Sequence, residues 1–192
     1  GESAFDDCSS LQNIKLPSTV TEIGNDAFSD CTSLESITLP STVTEICEEA
    51  FYGCQNLREV IFNNGLQNIG YKALYYCVSL ESITIPSTVI EIGDNAFGSC
   101  CNLREVILNE GLQKIGESAF DDCSSLQNIK LPSTVTEIGN YAFCGCSNLR
   151  EVTLNNGLKK IGHEAFLGCL SLQSIALPST VDIGVNAFSG CR

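Results

Sequence analysis

The chain has 192 residues, of which 23 are acidic and 10 are basic, so its formal net charge is −13. Proteins that bind nucleic acid through its phosphates carry a basic patch or stripe, and this sequence shows none. The same acidity argues against an anionic membrane surface, and no apolar run approaches the roughly 20 residues of a spanning helix. We therefore expect neither nucleic-acid binding nor membrane insertion.

The sequence repeats with a period of 23 residues. Residues 1–25 recur letter for letter at 116–140, an offset of five periods. New repeats begin at Ile23 and at every 23rd residue up to Ile161, and the last begins at Ile183 after 22 residues. Numbered from this isoleucine, the repeat reads I-G-x-x-A-F-x-x-C-x-x-L-x-x-I-x-L-P-x-x-V-x-x. The period predicts a single solenoid domain over residues 1–192, with about eight repeats and no clear caps, as in a piece of a longer array.

Each repeat contains three predicted elements, taken in chain order. Repeat positions 3 to 10 suit a short helical turn, because positions 5, 6, 9 and 12 would fall on one face of a helix. The L-x-x-I-x-L segment at positions 12 to 17 has the period-two alternation of a half-buried strand, and a short extended V-x-x-I segment follows it. Gly at position 2 and Pro or Asn at position 18 mark the corners. Stacked copies predict an α/β solenoid with a parallel sheet whose eight rungs, about 4.8 Å apart, span on the order of 40 Å.

This pattern resembles the BspA-like leucine-rich-repeat family of bacterial and protist surface proteins. One copy of the family's motif, L-x-x-I-x-L-P-x-x-V-x-x-I-x-x-x-A-F-x-x-C, is Leu34, Ile37, Leu39, Pro40, Val43, Ile46, Ala50, Phe51 and Cys54. The resemblance implies a right-handed coil with the parallel sheet on its concave face. It also implies an extracellular or cell-surface location and a role in adhesion or host interaction.

Nine of the twelve cysteines occupy repeat position 9, namely Cys8, Cys31, Cys54, Cys77, Cys100, Cys123, Cys146, Cys169 and Cys191. Neighbours in such a ladder lie within disulfide range, but an odd, uniform row of inward residues does not pair neatly. We interpret them as buried free thiols that pack as small apolar residues. Cys47, Cys101 and Cys144 break the pattern and are expected to be more exposed. Cys144 with Cys146 is a weak metal motif because no second pair stands at zinc-finger spacing, so we predict no metal site and no cofactor.

A catalytic site is not indicated by the sequence. The one histidine, His163, lies at repeat position 3, where the other copies carry residues as different as Glu2, Tyr71 and Val185. A position that accepts such variety is a solvated surface position, and Ser-His-Asp or Cys-His arrangements would depend on this same histidine. We therefore predict that the protein is not an enzyme.

Ligand binding is expected on the outward positions of the L-x-x-I-x-L strands, because solenoids bind through extended concave surfaces. Position 13 alternates in charge from Glu35 to Arg104, which predicts ion pairs between neighbouring rungs worth about 0.2–1 kcal/mol each. The candidate binding residues are Lys15, Glu35, Thr38, Arg58, Glu59, Ile61, Glu81, Arg104, Glu105, Ile107, Lys130, Arg150 and Glu151.

Two further features leave alternatives open. Repeats with P-S-T alternate with repeats carrying N-x-G-L, a 46-residue super-period that fits either gene duplication or a banded binding surface. Tyr71, Tyr75 and Tyr76 cluster in the repeat where Leu74 replaces Phe, and they indicate either a contact site or local repacking. For the whole chain, the favoured function is a binding module for a protein or glycan on a host or neighbouring cell. The alternative is a structural spacer or fibre subunit that stacks on itself end to end, since open strand edges template further strands.

Overall fold

The computed structural model describes residues 1–191. The chain forms a parallel β-solenoid of about seven turns. Its strands, in chain order, are β1 (Glu22–Ile23), β2 (Ser36–Thr38), β3 (Glu45–Ile46), β4 (Glu59–Ile61), β5 (Asn68–Ile69), β6 (Ser82–Ile85), β7 (Glu91–Ile92), β8 (Glu105–Leu108), β9 (Lys114–Ile115), β10 (Asn128–Lys130), β11 (Glu137–Ile138), β12 (Glu151–Thr153), β13 (Lys160–Ile161) and β14 (Asp182–Ile183).

The longest sheet is built from the shortest strands. The two-residue strands at the end of each V-x-x-I segment pair in the order β1-β3-β5-β7-β9-β11-β13-β14, all parallel, and we call this the short-strand sheet. Registered pairs such as Ile23 with Ile46 and Ile138 with Ile161 stack the first isoleucine of one repeat on that of the next. The sequence indicated only an extended piece here, because two residues are too few to show a strand's alternation.

The L-x-x-I-x-L segments form the predicted parallel strands, in two groups ordered β2-β4 and β12-β10-β8-β6. Positions 14 and 16 of these strands are exposed and position 15 is buried, as in Glu59, Val60 and Ile61 of β4. We call their outer surface the long-strand face. In residues 1–191 the strands form in six of the eight repeats rather than in all eight, since residues 11–16 and 172–177 are not strands.

The predicted helical turn is wrong, and with it the α/β fold class, because residues 1–191 contain no helix. Positions 3 to 10 form a turn in which positions 4 and 8 adopt positive φ in every copy, for example 52° at Asp26 and 52° at Asp30. Left-handed residues at that spacing prevent the continuous right-handed backbone that a helix requires. Asp, Asn, Ser and Gly fill most of these two positions, which is a signal for such turns.

The turn segments are joined by their own hydrogen-bond ladder, which we call the turn side of the solenoid. At each junction between coils, the amides of positions 4, 6 and 8 donate to the carbonyls of positions 3, 5 and 7 in the next coil. In one junction Ser118 donates to Asn140 at 2.8 Å, Phe120 to Ala142 at 2.8 Å and Asp122 to Cys144 at 2.8 Å. The backbone polar groups of the turns are thus satisfied between coils rather than within a helix.

The core consists of ladders of identical side chains. Position 6 stacks its rings in two runs, Phe5 to Phe51 and Phe97 to Phe188, with centroids 5.0–5.3 Å apart and rings nearly parallel. Leu74 separates the two runs and is fully buried. In this part of the chain no buried side-chain nitrogen or oxygen lacks a hydrogen-bond partner.

The position-9 cysteines are free thiols, which confirms their structural interpretation. Seven of them are buried, and Cys8 and Cys191 are half-buried. Each thiol after Cys8 donates to the position-6 carbonyl of the preceding coil, as Cys54 does to Phe28 at 3.1 Å. A small apolar residue with a weak donor suits this position, because it fills the core and also bonds a carbonyl. Cys47, Cys101 and Cys144 are half-buried.

Candidate functional site: the long-strand face

The structure places all thirteen candidate binding residues on the outer surface, where each is exposed. Nothing in the fold buries them, because positions 13, 14 and 16 either precede or alternate with the buried side chains of the strands. They extend along most of the solenoid, so the face as a whole is larger than any one cavity on it.

An open groove of about 570 Å³ crosses β8, β10 and β12 on this face. Five of the thirteen candidates line this groove, namely Arg104, Glu105, Ile107, Lys130 and Glu151. Gln127, Asn128 and Thr153 add amides and a hydroxyl. Its lining therefore offers hydrogen-bond donors, acceptors, both charges and an aliphatic side chain, which is the mixture that protein and glycan ligands require.

A smaller hollow, of about 270 Å³, lies where the long strands are interrupted between β4 and β6. Glu59 and Ile61 line it, together with Phe62 and Asn64 from the corner that follows. Ile61 and Ile107 are 47% and 45% exposed, so both hollows contain an accessible isoleucine.

The charged residues of the long-strand face do not form the predicted ion pairs. Among residues 1–191, no carboxylate oxygen lies within 4.0 Å of Arg58, Arg104, Lys130 or Arg150. The backbone does bring these positions together, since the amide of Arg58 donates to the carbonyl of Glu35 at 2.9 Å, but their exposed side chains stay apart. The charges therefore remain available to an external partner.

The short-strand sheet behaves differently, because its charges pair along position 23. Lys114 lies 2.6 Å from Glu91, and Lys160 lies 2.8 Å from Glu137. These pairs join residues that are in register on neighbouring strands, where side chains meet directly.

The 46-residue super-period has a structural cause at the corners. In two of the three N-x-G-L repeats the position-18 asparagine donates to two carbonyls of the preceding coil, as Asn63 does to Pro40 and Val43 at 2.8 Å each. In P-S-T repeats the threonine hydroxyl bonds the equivalent position-21 carbonyl, as Thr134 does to Leu112 at 2.7 Å. The two kinds of corner therefore satisfy carbonyls of the preceding coil by different side chains.

The tyrosine cluster lies on the turn side, away from the long-strand face. Tyr52 and Tyr75 stack with centroids 5.8 Å apart, and Lys72 lies 5.0 Å from the ring centroid of Tyr71. Lys72 also bonds Glu49 at 3.2 Å, and this bond raises the pKa of the lysine. The Lys72 ammonium is thus already bound by side chains of the protein itself, as expected if the tyrosine cluster reflects local repacking rather than a contact site.

A cluster that the sequence interpretation missed lies at one edge of the short-strand sheet. The carboxylates of Glu22 and Glu45 and the thiol of Cys47 have ligand atoms within 4.8 Å of one another. Burial, and then the charge of Glu45 and Glu22, raise the pKa of the Cys47 thiol. The sequence signal was the single cysteine at a position that is otherwise glycine, read together with two glutamates 23 residues apart.

A comparison with protein-family models gives a match that extends over the whole sequence. The model of the BspA-type leucine-rich repeat region matches six copies, over residues 1–100 and 67–192. The chain belongs to this family. No curated protein matches it.

Solved structures of leucine-rich-repeat proteins share the fold. A leucine-rich repeat protein from Bacteroides ovatus is 33% identical with a TM-score of 0.85, and the match covers 100% of this chain and 56% of that one. The leucine-rich repeat protein of T. pallidum is 36% identical with a TM-score of 0.79, over 82% and 76% of the two chains. A leucine-rich cell surface protein from Faecalibacterium prausnitzii is 25% identical with a TM-score of 0.54, over 100% and 67%. The chain thus spans little more than half of the B. ovatus protein.

The BspA-type family is one of repeat proteins, and no enzyme family is indicated. His163 lies 3.1 Å from Glu164 and makes an edge contact with Tyr141, with its side chain 39% exposed. Cys144 lies against Asp121, and burial followed by that carboxylate raises its pKa to about 12. Such a thiol is a poor nucleophile at neutral pH. No helix within residues 1–191 has the length and apolarity needed to cross a bilayer.

Proposed function

We propose that this chain is a non-catalytic binding module of a cell-surface protein, and that it holds a protein or glycan ligand on the long-strand face. The observation that carries the proposal is the contrast in charge pairing between the two sheets. Lysines of the short-strand sheet bond glutamates, whereas the cations of the long-strand face have no carboxylate partner among the described residues. Unpaired charges beside an exposed isoleucine suit recognition better than stability.

The groove across β8, β10 and β12 is the proposed centre of binding. Arg104 and Lys130 would meet acidic groups of the ligand, and Glu105 and Glu151 would exclude wrongly charged partners. Ile107 supplies apolar contact between them. Attachment to a host surface, a matrix protein or a neighbouring cell is the role that we propose for this contact. The cell-surface description of the F. prausnitzii protein supports that location.

The test compares charge reversal on the two sides of the solenoid. Wild-type protein, Lys130→Glu and Lys159→Glu would be assayed by biolayer interferometry against immobilised extracellular-matrix proteins, and on a glycan array. Lys159 is a matched control, because it is also exposed, lies next to β13 of the short-strand sheet and gives the same change in net charge. For a ligand from these panels, we expect Lys130→Glu to weaken binding at least tenfold and Lys159→Glu to change it less than twofold.

A double variant, Arg104→Glu with Lys130→Glu, should weaken binding further without changing the oligomeric state of the protein. Equal losses in Lys130→Glu and Lys159→Glu would contradict the proposed face. Binding to no panel member, with filaments in negative-stain electron micrographs, would support the structural-spacer alternative.

A further inference from the structure

We propose that Glu22, Glu45 and Cys47 form a zinc-binding site on the outer surface of the short-strand sheet. The site is separate from the long-strand face and does not depend on the binding function proposed above. It rests on the geometry of the three side chains, on the packing at repeat position 2 and on the charge pattern of repeat position 23.

The backbone already brings the three donors together. Glu22 and Glu45 are registered partners on the parallel strands β1 and β3. Glu45 and Cys47 flank the buried Ile46, so both side chains point to the outer face. The amide of Cys47 donates to the carbonyl of Ile23 at 2.8 Å, which holds the cysteine backbone beside β1. One carboxylate oxygen of each glutamate and the sulfur lie within 4.8 Å of one another.

That spacing is close to what a metal ion needs. Tetrahedral zinc with bonds of about 2.0–2.3 Å places its ligand atoms about 3.3–3.8 Å apart. Small side-chain rotations would close the remaining distance. Glu45 accepts a bond from Asn68 on one oxygen, Oε1, at 2.8 Å. Such an outer hydrogen bond orients a ligating carboxylate and leaves its second oxygen for the metal.

Packing at repeat position 2 favours glycine, and Cys47 is the exception. From Gly24 to Gly184, a β-carbon added at any of the seven position-2 glycines would lie 2.4–2.8 Å from an atom of the preceding coil. A cysteine at this position therefore carries a packing cost that glycine avoids. Local rules broken in this way are characteristic of functional positions.

The charge pattern of repeat position 23 also differs at this site. Where this ladder contains Glu91 and Glu137, each bonds a lysine from a registered strand. Glu22 and Glu45 are in register with each other, and among residues 1–191 neither has a basic side chain within 4.0 Å. Two adjacent carboxylates repel each other unless a cation lies between them.

The chemistry of the three ligand atoms, two carboxylate oxygens and one sulfur, indicates which metal the site would bind. Calcium and magnesium take oxygen ligands, whereas a thiolate with two carboxylates favours zinc. On binding, the Cys47 thiol forms a zinc–sulfur bond and releases its proton to solvent. Three protein ligands leave the fourth tetrahedral position for a water molecule.

The test uses the whole chain, purified with a non-thiol, non-chelating reductant and freed of metal. Zinc affinity and stoichiometry would be measured by competition with a chromophoric chelator. Cobalt would report on geometry, because a tetrahedral site with sulfur gives intense visible bands and a thiolate charge-transfer band. We expect one metal ion per chain and a cobalt spectrum of that kind.

Four variants separate this site from the other thiols. Cys47→Gly restores the residue found at every other position 2, so it should fold, and it should weaken zinc binding at least tenfold and abolish the charge-transfer band. Glu22→Gln and Glu45→Gln should each weaken binding at least tenfold. Cys101→Ser removes another half-buried thiol and should leave binding unchanged. Unchanged zinc binding in Cys47→Gly would overturn the proposal, as would a loss confined to Cys47→Gly with both glutamine variants unaffected.

Discussion

The inward residues of the turn side and the outward residues of the long-strand face come from the same 23-residue repeat, yet they differ in how much variation they accept. On the turn side, position 5 is alanine and position 9 is cysteine in all nine copies. On the long-strand face, position 16 ranges from Lys130 through Thr153 to Ile107. The inward turn residues are thus constrained by contact with two neighbouring coils, whereas the outward residues of the face meet only solvent or a ligand.

Backbone hydrogen bonds explain the constraint on the turn side. Three amide-to-carbonyl bonds join each turn to the next, and every thiol after Cys8 adds a fourth donor, as in Cys123 to Phe97 at 3.2 Å. A larger or differently shaped side chain would change the spacing of the coils and break several of these bonds together. Side chains of the face can change one at a time, which suits a surface that evolves toward a ligand.

The largest expected difference between the two sides is the response of the thiol ladder to alkaline pH. Burial raises the pKa of Cys31 to about 11 and those of Cys100 and Cys169 to about 12, and it raises that of Cys123 as well. In the unfolded chain these thiols ionise near pH 8.5. Their folded pKa lies above the unfolded value, so the stability they contribute is complete below about pH 8.5 and is lost as pH rises toward 11–12. Within that window, each such thiol lowers the free energy of unfolding by about 1.4 kcal/mol per pH unit.

Urea unfolding followed by circular dichroism at pH 7.5, 9 and 10, with reductant present, would measure this loss. We expect the midpoint to fall steeply above pH 8.5. A double variant, Cys77→Ala with Cys123→Ala, should be less stable at pH 7.5 because two S–H···O=C bonds are lost, and its pH dependence should be shallower. A urea midpoint that does not change up to pH 10 would contradict this, because it would mean that the ladder thiols ionise as readily in the folded protein as in the unfolded chain.

The next largest expected effect is the difference in stability loss between substituting a buried and an exposed apolar residue. Phe120 is fully buried, with rings stacked 5.3 Å away on both sides, so Phe120→Ala should cost about 3–5 kcal/mol. Ile107 is 45% exposed on the long-strand face, so Ile107→Ala should change stability by no more than about 0.5 kcal/mol. Urea unfolding of both variants at pH 7.5 gives the comparison. Similar losses of stability in the two variants would mean that Ile107 belongs to the core that stabilises the fold rather than to a binding surface.

The repeat made the solenoid, the parallel long strands and the buried ladders predictable, because apolar residues such as Leu34 and Ile37 recur in register in every coil. The turn was mispredicted because positions 5, 6, 9 and 12 share a face both in a helix and in the observed turn. Backbone conformation decides between them, and the Asp, Asn and Gly residues at positions 4 and 8 carry that information.

The candidate sites were less predictable than the fold. The exposure of residues such as Arg104 and Lys130 follows from strand alternation, but their lack of partners depends on side-chain distances that a sequence does not contain. The Glu22, Glu45 and Cys47 cluster requires the register of β1 and β3, since 23 residues separate its two glutamates. The 23-residue period already places the two glutamates at the same position of neighbouring coils, but the approach of their oxygens to the Cys47 sulfur depends on side-chain distances.

The smallest effect concerns the one break in the turn-side pattern. Leu74 interrupts the ring stack between Phe51 and Phe97, at the coil that also carries the tyrosine cluster. If coil spacing on the turn side is uniform, Leu74→Phe should join the two runs and raise stability by about 1 kcal/mol, since an aromatic pair contributes about 0.5–1.5 kcal/mol. Phe97→Leu moves the interruption into the longer run and should lower stability by a similar amount.

Thermal unfolding of the two variants and of the wild type would show whether the space at Leu74 is the same as at position 6 of the other coils. Loss of stability in both would mean that the space at Leu74 is narrower than in the other coils, and overpacking would then outweigh stacking. The stacked rings of Tyr52 and Tyr75, with Lys72 beside them, would in that case be part of a local rearrangement centred on Leu74. A gain in Leu74→Phe would instead show that the tyrosines lie outside an undisturbed core, and that this coil departs from the repeat only at its surface.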